Sequence, residues 1–332
     1  MKLAVLLVAS VAWAQSWVEQ TSGTAASLRG ISVVNARVAW AAGSAGTWLA
    51  TTDAGVTWRS GTLRGGEKLD FRAVHAIDAR TAWLLSVGSG SQSRIYRTID
   101  GGREWHRQLA APEPKGFFDS IAFWDARRGL VLGDPVDGEF EIYTTDDGGR
   151  HWRRQHTPAA LPEEGAFAAS NSCLVLRGQR EAWFGTGGPG GARVFHSLDG
   201  GASWTVAPTP VRDDGAPTGI FSLAFANGLV GVAVGGDYSK PAEAVHNVAV
   251  TTDGGHTWAA PAGGPAGYRS AVLYLAAEQA WIATGTSGSD VSFDGGRTWR
   301  MFDTVGYNAL GAADGLVLAV GPKGRIAALR MR

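Results

Sequence analysis

An eight-residue pattern, hydroxyl-x-Asp-x-Gly-x-x-Trp, occurs six times along the 332 residues. The copies run from Thr51 to Trp58, Thr98 to Trp105, Thr145 to Trp152, Ser197 to Trp204, Thr251 to Trp258 and Ser292 to Trp299. Their aspartates, Asp53, Asp100, Asp147, Asp199, Asp253 and Asp294, stand 47, 47, 52, 54 and 41 residues apart. A repeat of that period marks a supersecondary unit that cannot bury its faces alone and must stack on neighbours. Within each copy the Asp side chain can accept hydrogen bonds from amides just ahead of it, and Gly supplies a positive φ. The pattern therefore predicts a hairpin clip, after which Trp58, Trp105, Trp152, Trp204, Trp258 and Trp299 open the next strand and pack inward. A ligand site at each aspartate is the alternative reading of the same residues.

Upstream of the clips lies a second repeated element, a short apolar strand. It reads Val38-Ala39-Trp40, Thr81-Ala82-Trp83, Gly129-Leu130-Val131, Glu181-Ala182-Trp183, Gly228-Leu229-Val230, Gln279-Ala280-Trp281 and Gly315-Leu316-Val317. These seven strands outnumber the six clips, and the chain stops where a seventh clip should begin. The missing piece sits at the other end, where Trp17-Val18-Glu19-Gln20 resembles the strands that follow Trp58, Trp105 and Trp152. An N-terminal strand that completes the last repeat closes a ring and removes two free sheet edges. The expectation is an all-β, seven-bladed β-propeller of four-stranded antiparallel blades, closed by the N-terminal strand. The repeat runs unbroken over residues 15–332, which favours one domain over two.

The clips resemble the Asp-box, or BNR, motif, and the chain is similar to the propellers that carry it. Within that group Leu28-Arg29-Gly30-Ile31, Ala41-Ala42-Gly43, Gly46 and Thr51-Thr52-Asp53 look most like the photosystem II stability and assembly factor type. That resemblance implies a non-catalytic assembly role. Sialidases share the motif, and their pattern implies an arginine triad, a Tyr/Glu nucleophile pair and an acid Asp; here Arg29-Gly30-Ile31 lacks their proline. Function therefore has to be argued from the site.

Composition excludes several classes. Lys+Arg and Asp+Glu number 30 each, leaving no basic excess to hold nucleic acid. Charged residues are 18% and apolar ones 45%, which argues against a disordered scaffold. Cys173, the only cysteine, falls in a predicted inner strand as a core residue, so no intrachain disulfide is available. The histidines lack metal-ligand spacing, and Gly185 to Gly191 lacks the Gly-Lys-Ser/Thr of a phosphate loop, so no cofactor or metal is expected. Lys2, the apolar run Leu3 to Trp13 and Ala12-Trp13-Ala14 read as a signal peptide over residues 1–14, with an uncleaved anchor as the alternative. The expected product is a secreted or periplasmic monomer with no membrane span.

In such a ring the clips occupy one face and the ligand-binding loops the other. Aligning the first strands gives Leu28-Arg29, Phe71-Arg72, Phe118-Asp119, Ser170-Asn171, Phe221-Ser222, Tyr268-Arg269 and Tyr307-Asn308, with a polar second member throughout. Arg29, Arg72 and Arg269, with Asp119, Asn171 and Asn308, are thus candidates to line the channel mouth. Arginine forks suit carboxylates, so an acidic protein segment, an anionic glycan or a small anion is the expected partner. Pairing of these groups with neighbours such as Asp134, Glu164 or Asp237 is the structural alternative. Asp119, Asp134, Glu164, Asp237 and Tyr238 could instead assemble acid/base chemistry of a glycoside hydrolase. Asp134, Asp137 and Glu139 could hold Ca²⁺, or form a plain turn.

Overall fold

A computed structural model describes residues 15–331; the expected signal segment, residues 1–14, and residue 332 lie outside the described residues. The chain folds into seven antiparallel sheets arranged in sequence order as the blades of a propeller. Blade one comprises Leu28–Val33, Ala39–Gly43, Thr47–Thr51 and Arg59–Thr62, hydrogen-bonded in that order from the channel outward. Blades two, three, four and six repeat that order, starting at Asp70–Ala76, Phe118–Phe123, Leu174–Arg177 and Ala271–Leu275. The second strands are sandwiched between neighbouring blades, which is why Ala39–Gly43 and Ala82–Val87 are buried at every position. The outermost strands face solvent and are polar, as in Arg59–Thr62 and His106–Ala110. No helix among the described residues is long and apolar enough to cross a membrane.

Each repeated motif builds its clip on the same hydroxyl, Asp and Gly; the residue four after Asp adds a hydroxyl in four copies, the His151 ring in the third and only its amide at Glu104. Thr51 Oγ1 donates to Asp53 Oδ1 (2.8 Å) and accepts from the Gly55 amide (2.9 Å), while the Thr57 amide and hydroxyl donate to the two Asp53 oxygens (2.9 and 2.6 Å). Those donors, the Thr57 hydroxyl first, hold the Asp53 carboxyl down at about 2. All the oxygens of the side chain are thus committed to the turn, which gives the aspartates a structural role. The clip tryptophans are half-buried against the cores between blades, Trp58 in one and Trp152 in another. Blades are also tied to the next clip: Trp83 Nε1 donates to the Gly148 carbonyl (3.2 Å) and Trp183 Nε1 to that of Gly254 (2.8 Å).

Blade five departs from the repeat. Thr218–Phe225, Gly231–Asp237 and Val248–Thr251 form three strands, and the fourth is reduced to a single bridge between Val250 and Ala259. Pro261, Gly263, Gly264 and Pro265 follow at once, and proline cannot donate to a ladder.

Blade seven contains the ring closure. Its strands run Ala309–Ala313, Leu316–Val320 and Ile326–Met331 outward, and Gln15–Gln20 supplies the outermost one, from Gln15 opposite Met331 to Gln20 opposite Ile326. Trp17 packs on Tyr307 and Phe302 at 5.3 and 6.1 Å between ring centres. Its Nε1 donates to Ser289 Oγ of blade six (3.0 Å), while Gln20 donates to the Ala54 carbonyl and accepts from Trp58 Nε1 of blade one, so the first strand is anchored across three blades.

Candidate functional site

In every blade the start of the first strand and the end of the second lie together, on the face opposite the clips. There the channel widens into a cavity of about 520 Å³. What aims side chains into it is a set of β-bulges. The pairing of first and second strands skips one residue at Arg29, Arg72, Asp119 and Phe221 in blades one, two, three and five, and all four line the cavity. A bulge leaves its extra residue outside the ladder and redirects its side chain.

The first-strand alignment is therefore off by one in blade five. Phe221, not Ser222, occupies the position of Arg29; Ser222 turns between blades, where its Oγ accepts from the Val272 amide at 2.9 Å. Phe221 stacks on Phe167 at 3.8 Å, and Tyr268 meets it edge-on at 4.8 Å. With Tyr238, 54% exposed at the rim, they form an aromatic flank; the sequence singles out Tyr238 only as an acid/base candidate and gives Phe167, Phe221 and Tyr268 no part in the site.

Two arginines in different states also line the cavity, Arg29 within electrostatic reach of Tyr268. Arg72 Nε donates to Asp70 (2.9 Å), and its Nη1 approaches the Ala168 carbonyl at 3.4 Å. Arg29 has no hydrogen bond or ion pair with any of the described residues. Burial, then repulsion by Arg72, pulls its pKa below the ordinary arginine value, against the weaker opposing pull of Asp70 and Tyr268. Asn308 also borders the cavity, but its amide donates to the Leu28 carbonyl (2.8 Å) and stitches blade seven to blade one.

The third wall is acidic. Phe118 pairs with Gly133, so Asp119 and Asp134 flank one rung of blade three. Asp119 is 1% exposed, and neither carboxylate oxygen has a hydrogen-bond partner among the described residues. Burial raises its pKa well above the carboxylate range, and the neighbouring Asp134 adds to that; Arg72 and the nearby Ala168 amide, which closes no hydrogen bond, offset part of it. Asp134 accepts the Ala166 amide at 2.9 Å, and burial raises its carboxyl to about 6.

Four other candidates lie away from the cavity. Arg269 is fully buried on Asp290 (Nε to Oδ2, 2.5 Å), with Nη1 on the Tyr268 carbonyl and Ser287 Oγ. Its neighbours Tyr268 and Ser270 line the cavity, and alternation along extended chain turns the residue between them away. Asn171, at φ 65°, exchanges two hydrogen bonds with the backbone of Ile121. Glu164 holds Arg193 (Nε to Oε1, 2.9 Å), and Asp237 Oδ1 accepts the Ser239 amide and hydroxyl. The segment from Asp134 to Glu139 is a tight hairpin with Asp137 and Gly138 both at positive φ. No group of three His, Cys, Asp or Glu able to share a metal occurs among the described residues. Cys173 is buried beside Ser120 Oγ (2.9 Å), and burial pushes its thiol up to about 12.

No protein-family model matches the sequence, and no curated protein matches it. Solved structures do. One, described as YCF48 bound to D1 peptide, superposes with a TM-score of 0.68 at 16% identity over 95% of this chain and 96% of that one. Another, YCF48 from Cyanidioschyzon merolae, gives 0.63 at 19% identity over 94% and 98%. The fold resembles that of YCF48. At these identities the fold is what is shared, and the sequence-level resemblance to assembly-factor propellers leads to the same neighbours.

The acid pair makes a pH prediction. Both folded-state pKa values lie above the unfolded value of about 4. The native chain therefore holds more protons than the unfolded one from about pH 4 up to the folded-state values, about 6 at Asp134, and stability from this pair falls as pH rises through that window. Asp119→Asn with Asp134→Asn is expected to flatten that slope and stabilise the protein at pH 7 by on the order of 1–2 kcal/mol. Denaturant unfolding of both forms from pH 4 to 7 checks it; parallel curves would refute it.

Proposed function

We propose that this protein is a non-catalytic binding propeller, exported from the cytoplasm, whose channel cavity takes an acidic segment of a protein partner. The observation that carries the reading is Arg29: a guanidinium desolvated against Arg72 with no protein acceptor, in a cavity large enough for several side chains. A carboxylate there gains charge-assisted hydrogen bonds and relieves the repulsion. The aromatic flank of Phe167, Phe221 and Tyr268 suits a peptide, whose apolar side chains can cover it. The neighbouring structure described as bound to a D1 peptide fits the same ligand class. Export rests on the N-terminal sequence, and cleavage after Ala14 leaves the closing strand Gln15–Gln20 whole. N-terminal sequencing of the exported protein is expected to begin at Gln15; a retained leader would mean an uncleaved anchor, and accumulation in the cytoplasm would count against export.

Fluorescence polarisation with a labelled library of short acidic peptides tests the binding. Arg29→Ala is expected to weaken the best binder by about 10- to 100-fold, the size of lost hydrogen bonds to a charged group. Affinity should also fall with salt. Binding indifferent to Arg29→Ala and Arg72→Ala would overturn the assignment, and preference for sulfated or sialylated glycans would redirect it.

One observation favours a second reading. Asp119 and Asp134 are two carboxylates of raised pKa beside the cavity, the kind of pair from which a sialidase-like glycoside hydrolase draws its acid. Arg269, held by Asp290, does not complete an arginine triad with Arg29 and Arg72. Turnover of a fluorogenic sialoside, abolished by Asp119→Asn, would favour the hydrolase.

A further inference from the structure

The two arginines of the cavity offset the charge of its two aspartates only in part, Arg72 acting on Asp119 without touching it. No ion pair joins Arg29 or Arg72 to Asp119 or Asp134: Arg72 turns to Asp70, and Arg29 has no partner among the described residues. Asp119 is the sharper anomaly. Its carboxylate is almost wholly removed from water with both oxygens unpaired, yet it lines the wall of an open cavity. A buried carboxylate left without a donor costs the folded chain free energy and implies a partner that supplies one. Asp134 stands beside it with Oδ1 on the Ala166 amide and Oδ2 free of protein donors among the described residues. The unmet demand on this wall is for hydrogen-bond donors carrying positive charge, and the demand at Arg29 is for acceptors carrying negative charge.

We propose that Asp119 and Asp134 form an acidic subsite that takes a protonated amine or guanidinium, so that the cavity selects a segment carrying a basic group near the carboxylate held by Arg29. This rests on the reading that Arg29 binds a carboxylate, and it narrows the partner from acidic in general to one of mixed charge. Such a ligand gives each wall its missing counter-charge, while a purely acidic one leaves Asp119 buried opposite a further negative charge. The aromatic flank beside the acids can cover the methylene stem of a lysine or arginine.

The test uses three probes in NMR titrations of the full-length mature protein: hexanoate, hexylamine and 6-aminohexanoate. Wild type is expected to bind 6-aminohexanoate at least about tenfold more tightly than hexanoate, with a difference of about 1.4 kcal/mol. Asp119→Asn with Asp134→Asn should erase that advantage and the binding of hexylamine while leaving hexanoate in place. Arg29→Ala should weaken hexanoate and spare hexylamine. Equal affinity of wild type for hexanoate and 6-aminohexanoate, or hexylamine binding unaffected by the aspartate changes, overturns the subsite. Hexanoate binding indifferent to Arg29→Ala instead overturns the carboxylate site on which the proposal stands, so the two failures are read separately. Asparagine keeps the shape of each side chain and removes a buried charge, so the doubly substituted protein is expected to fold.

Discussion

A mature chain starting at Thr21, without Gln15–Gln20, is expected to lose more than about 4 kcal/mol of stability and to melt on the order of 10 °C or more below the intact protein. The strand contributes a full ladder with Ile326–Met331, the packing of Trp17 on Tyr307 and Phe302, and two hydrogen bonds with blade six, from Trp17 to Ser289 and from Arg300 to Gln15. Its removal also leaves Ile326–Met331 as a free edge, so the truncated chain should associate by strand addition at high concentration. Trp17→Ala is the graded version, expected to cost about 2–3 kcal/mol because the indole is half-buried. Differential scanning calorimetry with light scattering reads both effects. Truncation that leaves the melting temperature unchanged would mean that the ring holds without its N-terminal closure.

The fold was legible because its decisive information is local. Hydroxyl, Asp, Gly and Trp each do a job inside one turn, so the motif can be read without knowing what packs where, and seven strands against six clips forced the closure. Blade five was less legible, although Pro261 and Pro265 were visible signs that its outer strand could not propagate. The site was half legible. Arg29, Arg72, Asp119, Asp134, Tyr238 and Asn308 reach the cavity, but most of its aromatic flank was missed: Phe221 and Tyr268 stand as the apolar first members of the aligned pairs, and Phe167 lies outside them. At Phe221 the cause is a bulge, which shifts alignment by a single residue and so exchanges the two faces of a strand. A signal was present. Aligning the small residues Gly30, Ala73, Ser120 and Ser222, each directly after a bulge, puts Phe221 with Arg29, Arg72 and Asp119. Asn171 and Arg269 were indistinguishable from true lining residues, since backbone pairing with Ile121 and burial on Asp290 are tertiary facts.

Arg269 and Arg29, alike in sequence context, are expected to respond to substitution with opposite signs. Arg269 and Asp290 are 0% and 1% exposed, and besides each other they engage the Tyr268 carbonyl, Ser287 and the Ala266 amide. Arg269→Met leaves a buried carboxylate without its cation and should cost about 3–5 kcal/mol; Asp290→Leu strands the guanidinium and should cost a similar amount. The double substitution leaves neither charge, and apolar replacements for a buried ion pair are often neutral, so its cost should be well below the sum of the single ones. Arg29→Ala removes a desolvated guanidinium that has no hydrogen-bond or ion-pair partner among the described residues and is repelled by Arg72 more than Asp70 attracts it, and should leave stability unchanged or raised. Denaturant unfolding of the cycle, with peptide binding measured alongside, separates the roles. If Arg269→Met folded with native stability and lost the ligand, Arg269 would belong to the binding site after all; if Arg29→Ala collapsed the fold, its guanidinium would be a structural strut and the cavity would lose its free cation.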